Sequence, residues 1–136
     1  MAILDNLQKY SATGLLIMRI GVGVMFIIHG FPKLVAGPQS WVVIGGSMKV
    51  IGVDFLPTFW GFMAMASETF GGLLLMLGFL FRPALLLLIP TMIIATLTHF
   101  ANNEGLQAAS HAIEVGIVFI GLLFIGPGEY SLDERL

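Results

Sequence analysis

The sequence predicts an all-α polytopic membrane protein: a bundle of four spanning helices with a short interfacial helix in the loop between spans one and two. Three observations carry that prediction. Of the 136 residues, 57% are hydrophobic and only 10% charged, and the mean hydropathy of +0.98 lies far outside the range of soluble globular chains. The apolar residues gather in four runs of ~20, the length a helix needs to cross a ~30 Å hydrocarbon core. Lipid offers no partner for backbone N–H and C=O groups, and runs this long exceed the ~10 residues of a tilted barrel strand, so helices are the only element that fits.

The first span is read over residues 14–34. The segment before it carries one Lys and one Asp, and no small-residue cleavage pattern follows the apolar run, so this is a retained span and not a removed signal peptide. The second span is read over 59–81 and the third over 83–101, with Arg82-Pro83 as a very tight turn between them. A short polar turn, Asn102 to Gln107, leads to the fourth span at 108–126. The loop from Val35 to Thr58 is long by comparison. Breaks at Gly37-Pro38 and Val53 to Pro57 bracket Trp41 to Lys49, which reads as a helix lying at headgroup level and as a lid over the end of the bundle away from the termini. Gly126-Pro127-Gly128 stops the fourth span, and Tyr130 anchors the exit at the interface. The chain thus reads as one transmembrane domain, 1–136, with no soluble domain left over.

Composition also removes whole classes of function. A net charge of −2 with scattered Lys and Arg excludes a nucleic-acid partner, which needs a clustered basic face. With no cysteine there is no disulfide, thiolate metal site or dithiol chemistry, so any redox role uses a borrowed cofactor or a partner subunit. Four spans put both termini on one side. Lys9, Arg19, Arg82 and Arg135 near that side, against Lys33 and Lys49 on the other, favour cytoplasmic termini.

The informative residues are those that do not belong in hydrocarbon. His29, Glu68, His99, His111 and Glu114 lie inside the four apolar runs, although a charged group there costs roughly 2.5–3.5 kcal/mol on insertion scales and normally faces a bundle interior or a wet cavity. At ~1.5 Å per residue, counting from the termini side puts them in one slab at roughly 18–24 Å. Arg19 sits low and Lys33 high on the first span, each able either to snorkel to the interface or to hold counter-charge. His111 and Glu114, three apart, share a helix face, and Glu68 stacks on Gly71 and Gly72, where a neighbouring backbone can approach. Thr91, Thr98 and Asn102 line one side of the third span, with Thr96, His99 and Asn103 on the next strip. His99 and His111 flank the far-side turn and are also readable as wet surface residues, His99 the more so. Imidazoles opposed to carboxylates in such an interior can pass protons or coordinate a metal. No metal site is expected: the eight methionines scatter as packing, and a haem between two of the histidines has the residue type but no spacing signature.

Four pieces in order give these residues a family context: Arg19 to Phe26 (RIGVGVMF) followed by His29-Gly30 and Lys33-Leu34; Glu68 to Gly78 (ETFGGLLLMLG); Phe81-Arg82-Pro83-Ala84; and Gly126 to Asp133 (GPGEYSLD). Together they span nearly the whole chain, which resembles the DoxX family of small four-span prokaryotic membrane proteins. The family pattern falls on Arg19, His29, Lys33, Glu68, Gly72, Arg82 and the tail. The resemblance implies a prokaryotic cell (inner) membrane location and a subunit of a quinone-linked or redox-stress-associated assembly, with a partner subunit or a second copy and a quinone as the ligand. His29 and Glu68 would then face the quinone head, Arg19 and Lys33 hold counter-charge, and His111 with Glu114 relay protons. No autonomous catalytic motif accompanies it. Two other classes stay open on the residues alone: a small proton-coupled transporter using Glu68, and a non-catalytic scaffold whose polar core only sets helix packing.

Overall fold

The computed structural model describes residues 2–136, with side chains from Leu4 onward. A short helix α1 (Ala2–Asp5) and a 3-10 turn (Asn6–Tyr10) lead into α2 (Ser11–Val35). Then come α3 (Pro38–Gly45), a 3-10 turn (Gly46–Ile51), α4 (Pro57–Leu77), α5 (Phe81–Ala101) and α6 (Gly105–Ile125). The long helices α2, α4, α5 and α6 are each long and apolar enough to cross a membrane.

The ends of the spans differ from the sequence reading at one instructive place. The second span stops at Leu77, not Phe81, and Arg82-Pro83 lies in the first turn of α5. Gly78 makes the stop by taking a left-handed conformation (φ 62°), with its N–H donating to Leu75 O and that of Phe79 to Leu74 O. Leu80 is also left-handed (φ 45°), an uncommon state for a side chain with a Cβ. Its amide and that of Phe81 both donate to the Asp133 carboxylate at 2.9 Å. In return, Leu132 and Asp133 donate their own N–H groups to Leu77 and Gly78 carbonyls. The tail therefore supplies the groups that two helix ends lack, acceptors for α5 and donors for α4. Arg82 adds a tie from α5 to Leu123 O at the end of α6.

Helices α2, α4, α5 and α6 follow one another round the bundle, but their four seams are not alike. Along α2–α4, Gly23 faces Gly72: a Cβ on Gly72 would come 2.7 Å from Gly23 O, so the two backbones touch. The α4–α5 and α5–α6 backbones also run close. Between α2 and α6 no two Cα atoms come within 8 Å. Phe26 and Phe119 fill that gap with rings 5.1 Å apart, propping the helices as spacers. The core of Phe26, Leu75, Phe81, Leu85, Leu88, Met92, Ala112, Phe119 and Leu122 occupies chiefly the half nearest the termini.

The loop segment expected as an interfacial lid folds as α3 and its 3-10 turn. It is held flat on α4, where Gly45 lies against Pro57 and Gly61 against the Trp41 backbone. Trp41 donates from its indole N–H to Leu34 O at 3.0 Å and meets Phe62 edge-on at 5.0 Å. The 3-10 turn reaches α5.

Candidate functional site

In the half of the bundle away from the termini, the core gives way to a cavity of about 200 Å³. Its wall takes Phe26, His29 and Lys33 from α2, Glu68 from α4, Met92, Ala95 and His99 from α5, and Ala108, His111 and Ala112 from α6. Two features of the sequence create it. The alanines leave space where leucines fill the rest of the bundle, and the Phe26–Phe119 spacer beneath keeps α2 and α6 apart. No residue of α3 lines it.

The polar groups descend in steps. Lys33 and His99 are each two residues from the far end of their helices, about 3 Å along the axis. His29 and His111 are each six residues from theirs, about 9 Å down. Glu68, eleven residues into α4, is about 16 Å down, near mid-bilayer. What the sequence arithmetic places in one slab is a funnel with a carboxyl at its floor.

Glu68 is only 9% exposed, and Gly30 packs against its Cβ, so the backbone of α2 presses on one side of it while the cavity opens on the other. No hydrogen bond to its carboxyl is made by the described residues. Thr69 beside it is satisfied within its own helix, donating to Met65 O at 2.8 Å. His29 bonds through Nδ1 to Met25 O at 2.8 Å. Because a carbonyl only accepts, Nδ1 carries the proton and Nε2 of the neutral ring is free to accept. Its ring lies 6.1 Å from that of His111 across the α2–α6 gap. At the rim, His99 Nδ1 pairs with Glu104 of the α5–α6 turn, both about two-fifths exposed (37% and 43%). This hydrogen bond holds the Glu104 carboxyl below the ordinary carboxylate range. Asn102 adds a second, longer bond to Glu104 at 3.4 Å.

Two residues expected in the cluster stand outside it. Arg19 is at the other end of the bundle, 1% exposed, so it neither snorkels nor faces the cavity. It crosses Gly78, where a Cβ would collide with the guanidinium, and donates to Tyr130 O at 2.9 Å. Its Nε and Nη1 have no partner among the described residues. Glu114 is exposed on α6 and does not line the cavity. The 60° that separates positions three apart on a helix carries it past the edge that His111 occupies. Thr91, Thr96 and Thr98 turn inward to their own helix, donating to Leu87, Met92 and Ile94 carbonyls, and add nothing to the cavity.

Sequence reasoning passed over the Asp133 clip and the alanine wall. The wall had a signal in Ala95, Ala108 and Ala112 at the depth of the histidines. The clip had none, since Asp133 acts on residues more than fifty positions away.

Comparison with known proteins places these features in a family. The DoxX family model matches residues 14–101, from the first turn of α2 to the end of α5. Inner membrane protein YqjF of Escherichia coli is 31% identical over 96% of this chain and 97% of its own length. Inner membrane protein YphA of the same organism is 30% identical over 89% of each chain. An uncharacterised Haemophilus influenzae protein is 30% identical over 97% of each. No solved structure matches.

Proposed function

The chain belongs to the DoxX family of membrane proteins, and from that premise we propose that its cavity receives the head of a quinone and exchanges protons with it, as the membrane subunit of a redox assembly. The observation that carries this reading is the meeting of His29, Lys33, Glu68 and His111, from three helices, around one space.

The size suits the ligand. A cavity of about 150 Å³ accepts a benzene ring, and this one, at about 200 Å³, leaves room for small ring substituents. The donor set suits both oxidation states. Lys33 donates, the free Nε2 of neutral His29 accepts, and Glu68 donates when protonated and accepts when ionised. Reduction of a quinone takes two electrons and two protons. In this reading Glu68 at the floor would hand over one proton, be recharged through His111 and His29 from the rim, and hand over the second. The electrons come from a borrowed cofactor or a partner subunit, because a chain without cysteine has no dithiol couple to supply them. Phe26 and Phe119 close the floor, so protons reach the site from the far side only. The same closure disfavours the transporter reading in a single copy, since the path ends at Glu68.

An inner-membrane location follows from the names of the E. coli relatives. With Arg19 buried, Lys9, Arg82 and Arg135 still outnumber Lys33 and Lys49, a bias that supports cytoplasmic termini and an outward rim.

The test is binding of a tail-less dimethoxy-methyl-benzoquinone to the protein in nanodiscs, read by calorimetry. Glu68→Ala and His29→Ala are each expected to weaken it about tenfold, the loss of one hydrogen bond to a charged or polar group. Equal affinity in both variants and the parent would end the reading. Stability alone lost, with no effect on binding once the fold is rescued, would favour the scaffold.

A further inference from the structure

We propose that the seam between α2 and α6 is a lateral port: a ligand dissolved in the bilayer slides its polar head through it to Glu68 and leaves its apolar tail in the lipid. This rests on the reading of the cavity as a head-group site and adds the route and the chemical class, a tailed amphiphile in place of a water-borne molecule.

The seam differs from the other three in kind. At α2–α4, glycine backbones touch, and nothing passes without separating the helices. At α4–α5 and α5–α6 the backbones are likewise close. At α2–α6 no Cα pair lies within 8 Å, and only side chains close the gap. Below the cavity the closure is firm, with Phe26 and Phe119 both buried. At cavity level it is thin. His29 and His111 both line the cavity and are exposed, and their ring centres lie 6.1 Å apart across a seam with no backbone contact, so these two rings are what closes it at this level. Side-chain rotation, which takes picoseconds to nanoseconds at exposed positions, opens such a wall without moving a helix.

The outer lip is polar where lipid should make it apolar. Glu114 is exposed nine residues into α6, about 14 Å down, just round the helix from His111 on the side of the seam. An exposed carboxyl at that depth is costly against hydrocarbon. A head group arriving from the bilayer gives it a hydrogen-bond partner, then meets the two imidazoles, then Glu68. Met25, one turn below His29 on α2, is 51% exposed and offers a flexible apolar surface for the tail.

The experiment uses the full chain in nanodiscs with two probes: the tail-less benzoquinone above, and the same ring on a decyl tail bearing a diazirine. Two substitutions outside the cavity wall, Met25→Trp and Gln107→Trp, plug the seam from its two edges. The expected result is that, in the parent, the diazirine labels α2 and α6 residues beside the seam, and that each plug lowers capture of the tailed probe tenfold or more while tail-less affinity stays within twofold. Retained tail-less binding also shows that the plugged variants are folded. Labels on α3 or the α5–α6 turn, or plugs without effect on the tailed probe, would overturn the port while leaving the cavity reading intact. Failure of both probes to bind the parent would overturn both.

Discussion

Helix α2 meets α4 and α6 in opposite ways, and the contrast explains where this small bundle keeps its hollow. Against α4 it offers Gly23 and Gly30 to Gly72 and the Glu68–Thr69 turn, and the backbones themselves are the contact. Against α6 it offers Phe26 and His29 to Phe119 and His111, and rings are the contact. In lipid, helices gain little by hiding apolar surface from one another, so association rests on close packing, which small residues permit. A bundle with glycine on every seam would be tight throughout. One seam held by aromatic spacers leaves a space above the spacers, and His29, Lys33, Glu68, His99 and His111 are found there.

Several measurements would break or sharpen that contrast. Gly72→Leu should have the largest effect, costing about 3 kcal/mol or more because a side chain has to force apart backbones that are in contact; an unfolding titration in mixed micelles reads it, and a mild outcome would mean the glycine seam is not what holds α2. Next comes Asp133→Ala, expected at about 1–2 kcal/mol for the loss of a helix cap, with faster hydrogen exchange at Leu80 and Phe81. Because the clip anchors the tail that follows α6, spin labels on α2 and α6 should also show a broader distance distribution, while labels on α2 and α4 should not. Phe119→Leu at the ring-held seam is expected to cost about 1–1.5 kcal/mol, the loss of part of one buried side chain with no backbone forced apart. A cost matching that of Gly72→Leu would show the two seams to be equally exacting. Smallest is Glu104→Gln at the rim. The carboxyl of Glu104 is held below its ordinary range by His99, so the tie is complete above that range and lost as the pH falls through the lowered value. Carbon-detected NMR titration of Glu104 checks the direction, and Glu104→Gln should remove the acid-side change in exchange of the α5–α6 turn amides.

The four spans were legible because hydrocarbon allows one kind of element and fixes its length, so composition alone nearly determines them. His29, Lys33, Glu68, His99 and His111 were legible for the same reason, being polar in apolar runs, and the structure brings all five to one cavity. What failed depended on knowing where neighbouring helices sit. Glu114 shares a side of α6 with His111, but sequence cannot say that the cavity ends at His111. The second span was read to Phe81 because Phe79, Leu80 and Phe81 continue the apolar run, and an apolar count does not register that Gly78 turns the chain. Arg19 was drawn into the cluster by its charge, although its low position on the first span already set it apart. Its partner, the Tyr130 carbonyl, is 111 residues on, beyond the reach of any local pattern.

The tail that covers Arg19 and holds the α4–α5 turn also imposes an order on assembly. Residues 126–133 leave the ribosome after all four spans, yet the amides of Leu80 and Phe81 and the guanidinium of Arg19 wait for them. Helices can insert and pair in the bilayer while the chain is still growing, but the base of the bundle is finished only by the segment that follows α6. A nascent chain halted before Tyr130 keeps an uncovered arginine and two open helix ends, so insertion of the four spans and closure of the base are separate events.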